Sequence, residues 1–212
     1  MSCPICEKRK PARYCPAKGE KICAVCCGTE REVTIDCPSD CPHLISAHRY
    51  ENEHERSVPA DTPFLDSKLP QEIIYSHQVL LSGISFTIAK FCAAQPSASD
   101  PNILAALQAL AETYKTLGAG IYYEKPPDPP LSRDLYAALS AFLVEAKQPQ
   151  AGRAGYATVK DSEIFVLLVF LYRMGLLRTN GRPRSHRFIE FLRRQFPQVP
   201  ELQRKESRII VP

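Results

Sequence analysis

The chain has 212 residues, 44% of them hydrophobic and 24% charged, with a formal net charge of +4. That composition suits an ordinary globular protein and excludes a highly polar, disordered one. The longest unbroken apolar run, residues 164–171, is far shorter than the roughly 18–20 residues a membrane helix needs. The MSCPIC start lacks the basic flank and apolar core of a secretory signal, so a reducing, cytoplasmic setting without disulfides is expected.

Eight of the nine cysteines crowd into residues 3–41. In a reducing compartment, close-spaced thiols point to metal, and four thiolates complete the tetrahedral shell of one structural zinc. Cys3-x2-Cys6 and Cys23-x2-Cys26 are tight knuckles, Cys37-x3-Cys41 is a wider pair, and Cys15 stands alone. Cys26 and Cys27 are adjacent, so their side chains diverge and suit different ions. The expected assignment is Cys3, Cys6, Cys23 and Cys26 on a first zinc, and Cys15, Cys27, Cys37 and Cys41 on a second. One alternative exchanges Cys26 and Cys27; another brings in His43 or His48 and releases a cysteine. A module of this size has little core, so metal binding would supply most of its folding energy. Eight thiolates on two zinc ions would also cancel most of the formal positive charge.

Cys3-x2-Cys6, then Tyr14-Cys15-Pro16, then Cys23-x2-Cys26 resemble the first half of the cross-brace zinc fingers of the HIT and B-box type. The resemblance covers residues 3–43. It implies two zinc ions held by alternating ligand pairs, in a module that contacts other proteins. Within this stretch, residues 31–36 alternate polar and apolar with β-branched side chains, which predicts one short strand.

Residues 44–55 suit a helix leaving the last knuckle. Prolines 59, 63 and 70 mark a linker over 57–70, in which Phe64 and Leu65 are expected to dock. Residues 71–92 place Ile73, His77, Leu80, Ile84, Ile88 and Phe91 at helical spacing. Asp100 with Pro101 predicts the start of a helix through 122. Ser132 predicts the cap of another through 147. Residues 148–158 read as a loop, and 160–177 as the most apolar helix, central to a bundle. Thr179-Asn180-Gly181 reads as a turn, Ser185 as the cap of a short helix to 196, and 197–212 as a tail that Ile209, Ile210 and Val211 could pin to a surface. Cys92 reads as a small buried hydrophobe and His77 as a satisfied boundary histidine.

Residues 173–212 carry ten Lys/Arg against three Asp/Glu. Arg178, Arg182, Arg184, Arg187, Arg193 and Arg194 are therefore the candidate anion-binding residues. The expected architecture is an all-α helical bundle with a small N-terminal two-zinc module. Its divisions are 1–56 for the module, 57–70 for the linker, 71–196 for the bundle and 197–212 for the tail. No nucleophile–base pair or phosphate loop stands out. The expected function is a non-enzymatic zinc-binding adaptor with protein partners and no membrane association. The alternatives are a nucleic-acid-associated protein using the basic end, and third an enzyme with its site hidden in the bundle.

Overall fold

A computed structural model of the chain describes residues 2–54, 58, 60–148 and 159–202. Most of the expected 148–158 loop, and Ile209–Val211 of the tail, lie outside the described residues. The described chain is mainly helical, with one two-stranded sheet, and its contacts group it into two compact units. The first comprises Met1–Ser57 with Asn180–Ser185, and the second Val58–Thr179 with His186–Arg204.

In the first unit, β1 (Arg13–Cys15) and β2 (Glu20–Ile22) form an antiparallel hairpin that pairs Arg13 with Ile22 and Cys15 with Glu20. Its turn closes because Gly19 takes φ +70°, and its N–H, with that of Lys18, donates to the Cys15 carbonyl. Helix α1 (Ala24–Glu30) follows at once, and α2 (Pro42–Glu53) leaves the last cysteine with Pro42 at its first position. The strand expected over residues 31–36 is absent. Only a single Arg31–Ile35 bridge forms, and the N–H groups of Val33, Thr34 and Ile35 turn back onto the Glu30 carbonyl. An alternating pattern makes a strand only with a partner to pair with, and here the ladder is made upstream. The small core is the thiols themselves around Ile22 and Ile35.

The second unit is a bundle of α3 (Gln71–Ser76), α4 (Gln78–Ala94), α5 (Asp100–Gly118), α6 (Pro130–Lys147), α7 (Asp161–Arg178) and α8 (Arg187–Arg194). The single helix expected over 71–92 is broken at His77, whose φ −111°, ψ 29° leaves the helical region. His77 Nε2 lies 3.4 Å from Glu163 Oε2. As expected, α7 is apolar nearly all round: Ile164, Leu167, Leu168, Val169 and Leu171 are each at most 1% exposed. It packs against α5, whose Ile103, Leu107 and Leu110 are equally buried. Burying such a side chain is worth about 1.5–3 kcal/mol, so the α5–α7 seam contributes substantially to this unit's stability. Phe64 does dock: its ring meets Phe165 and Tyr172 edge-on at 5.6 and 6.2 Å between centroids. Arg173 fixes that segment by donating from Nη2 to the carbonyls of Phe64, Leu65 and Ser67.

The helix caps differ from expectation in an informative way. Ser99, not Asp100, precedes α5, and the Asn102 side-chain oxygen accepts from its N–H and its hydroxyl at 3.0 Å each. Asp100 is fully buried, and its carboxylate accepts the N–H groups of Phe188 and Ile189 at 3.1–3.2 Å. The start of α8 is thus met by a carboxylate 88 positions away in sequence, and the residue at its N-cap is His186, one past the expected Ser185. Helix α6 starts at Pro130, so Ser132 lies inside its first turn, where its Oγ accepts from Asn102 Nδ2 at 3.4 Å.

Candidate metal centre

The first knuckle, Cys3-Pro4-Ile5-Cys6, is a tight turn closed by the Glu7 N–H on the Cys3 carbonyl at 2.7 Å. Glu7 takes φ +55°, the left-handed twist that swings the chain back for the Cys3 N–H to reach the Arg9 carbonyl at 2.8 Å. The second knuckle spans the start of α1. Cys23 is its N-cap, and the Cys23 Sγ accepts the Cys26 N–H at 3.3 Å. The Cys3 Sγ accepts the Cys23 N–H at 3.2 Å, which ties the two knuckles together.

The result is one compact thiol group. The Sγ atoms of Cys3, Cys6, Cys23 and Cys26 all lie within 4.8 Å of one another. A tetrahedral zinc with bonds of about 2.3 Å separates its sulfurs by about 3.8 Å. The Cys6 and Cys23 sulfurs are 3.9 Å apart, so the cage has the size of a single four-coordinate ion. These residues could hold a metal ion without rebuilding the backbone. Cys26, and not Cys27, completes the group, because successive helical residues point about 100° apart.

The electrostatics fit a cation as well. Backbone N–H groups of Lys8 and Arg9 lower the Cys6 thiol to about 6. Burial raises the Cys3 thiol, but hydrogen bonds from the Cys23, Cys6 and Ile5 backbone outweigh it and leave it lowered. Burial and the neighbouring thiols push Cys26 up to about 12. Anions this close cannot all ionise alone; a dication at their centre removes the conflict.

The other four expected ligands are placed differently. Cys15, Cys27 and Cys41 are buried and Cys37 is partly so. Burial pushes the Cys37 thiol up to about 11, with Cys41 and Cys15 near enough to add to the effect by their charge. Among the described residues, no second group of three or more ligand atoms stands as close as the first. His43 is on α2, where its carbonyl accepts from Arg31 Nη1. His48 faces a carboxylate, with Nε2 3.2 Å from both oxygens of Glu32.

The residues that sequence reading missed lie here. Glu32 is 2% exposed and takes φ +54°. Burial raises its carboxyl, but hydrogen bonds from His48 and Asn180 and the nearby charges of His48 and Arg182 more than offset this, so its net shift is downward. Nothing in the short run 30–36 marked it, since its partner Asn180 is 148 residues away.

Several candidate anion-binding arginines are engaged by the chain itself. Arg182 Nη1 donates to the carbonyls of Gly28 and Arg31. Arg178 lies over the Phe191 ring at 4.5 Å, and Arg193 Nη2 donates to the Cys92 carbonyl at 2.7 Å. Arg184 and Arg194 are exposed, and Arg187 is half-buried. Cys92 is buried, and burial pushes its thiol up to about 12, so it stays protonated. Between α4, α7 and α8 lies a pocket of about 270 Å³, whose lining, Leu81, Met174 and Phe196 among it, includes no acid, base or thiol. No helix among the described residues is long and apolar enough to cross a membrane. No protein-family model, curated protein or solved structure matches the chain.

Proposed function

We propose that the first unit is a zinc-binding interaction module and that the protein is a non-enzymatic adaptor acting in the cytoplasm. The observation that carries this is the Cys3, Cys6, Cys23, Cys26 cage, whose sulfur spacing suits one tetrahedral ion. A closed four-thiolate shell leaves no position for substrate, so the ion's role is structural. Zinc is the natural occupant of such a set, ahead of mononuclear iron. Cys15, Cys27, Cys37 and Cys41 form the second site, drawn together when metal binds. The charge effects of Cys41 and Cys15 on Cys37 support their nearness. The cysteine spacing remains the basis for the likeness to cross-brace fingers.

Self-engagement of Arg178, Arg182 and Arg193 supports a protein partner over a nucleic acid. The test is metal content of the purified protein by plasma mass spectrometry, with far-UV circular dichroism before and after chelator. Two zinc ions per chain are expected. One ion would remove the second site, and none would refute the module.

A further inference from the structure

Around Glu32 the first unit carries a polar socket filled by another part of the same chain. Its floor is the last turn of α1 with the loop that runs on to Cys37. Glu32 presents a buried carboxylate there, and the carbonyls of Gly28, Arg31 and Glu32 are its other acceptors. Asn180 Nδ2 donates to Glu32 Oε2 at 2.7 Å. Arg182 donates from Nη1 to Gly28 O at 3.1 Å and to Arg31 O. The Arg184 N–H donates to Glu32 O at 2.9 Å. Two side chains and one backbone group within five residues thus meet four acceptors.

The segment is shaped for this. The Arg182 N–H donates to Asn180 Oδ1 at 3.1 Å, and Gly181 takes φ +73°, so the turn that aims both side chains is closed locally. Pro183 holds Arg182 out of the helical region. The contacts are polar and directional, with no apolar anchor among them. A buried carboxylate is costly unless its oxygens are satisfied, and His48 supplies only part of that. The socket therefore demands a donor-rich ligand.

We propose that this loop is a peptide-recognition socket, that Asn180–Ser185 is its ligand in cis, and that the chemistry it reads is Asn-x-Arg followed two residues later by a free backbone N–H. The proposal deepens the interaction-module reading and rests on it. A partner would carry a basic Asn-x-Arg segment in an exposed turn and would enter only when the cis segment leaves.

A tethered segment acts at a millimolar effective concentration, so the test empties the socket first. The full-length N180A/R182A chain is titrated with a fluorescein-labelled peptide of residues 179–186. Saturable binding at about 100 μM or tighter is expected. Adding E32Q to the chain, or placing Ala at the Asn and Arg positions of the peptide, should each weaken binding by about tenfold or more, because each removes a charge-assisted bond. No saturable binding, or binding indifferent to these changes, overturns the proposal. A second readout needs no variant: amide exchange across 180–185 of the wild-type chain should quicken in millimolar peptide, and unchanged exchange would also overturn it. Metal content of the same samples separates the failures. A metal-free chain refutes the module; a metal-loaded chain that ignores the peptide refutes only the socket.

Discussion

Asp100→Ala tests the buried cap of α8. The carboxylate accepts two N–H groups, Phe188 and Ile189, in a site with no exposure. Those are donors of the first helical turn, which have no partner within the helix. A hydrogen bond to a charged group contributes about 1.5–3 kcal/mol, and losing an N-cap costs about 0.5–2 kcal/mol. The carboxylate also sits at the start of α5, so two helix dipoles favour its charge. Removing it spares its desolvation, which offsets part of the loss. The expected net loss is about 3 kcal/mol. For a unit of this size that lowers the melting temperature by about 6–12 °C. Asp100→Asn keeps one oxygen acceptor and should lose about half as much. Urea titrations followed by far-UV circular dichroism, with exposed Asp128→Ala as control, supply the measurement. A loss under about 1 kcal/mol for the Ala variant would refute the argument. So would an Asn variant as damaged as the Ala one.

Two glycines should respond with opposite signs in the same assay. A Cβ at Gly175 would stand 2.7 Å from Leu104 Cδ2 and 2.9 Å from Phe188 Cε1, so overpacking of about 1–3 kcal/mol should exceed the helix-propensity gain near 1 kcal/mol. At Gly118 the nearest atom is 3.6 Å away, and Gly118→Ala should stabilise by a few tenths to about 1 kcal/mol. Burial pushes the Tyr114 and Tyr136 hydroxyls up to about 12. A folded value raised above the usual value near 10 favours the neutral form, so its stabilisation is complete below about pH 10 and drains away up to about pH 12. Absorbance near 295 nm should show exposed tyrosines ionising first and these two only as the bundle unfolds; a single step near 10 would contradict their burial. Cys23→Ser removes both a thiol of the cage and the sulfur that caps α1, so metal content should fall by one ion per chain and chelator should change the spectrum less than in the wild type. Retained stoichiometry would argue against Cys23 as a ligand.

The helices were legible because burying a stripe forces apolar residues to recur every three or four positions, and the middle of α7 is apolar nearly all round because little of it is exposed. The Cys3–Cys6 and Cys23–Cys26 knuckles were legible because a tight turn between two ligands is a local property. The spacing already favoured Cys26 over Cys27 for the first cage, and the phase of α1 decided against the exchange of the two that it left open. The break at His77 and the loss of the 31–36 strand were settled by neighbours in space. Glu32 with Asn180, and Asp100 with Phe188, were invisible for a plainer reason. A buried carboxylate looks like a surface one until the fold brings its donors to it, and its donors here are 148 and 88 residues away. The sequence alone determined where thiols and apolar stripes lie, since both follow from local periodicity and turn geometry. Only the tertiary structure decided which polar groups are buried together, because desolvation is a property of the surroundings and not of the residue.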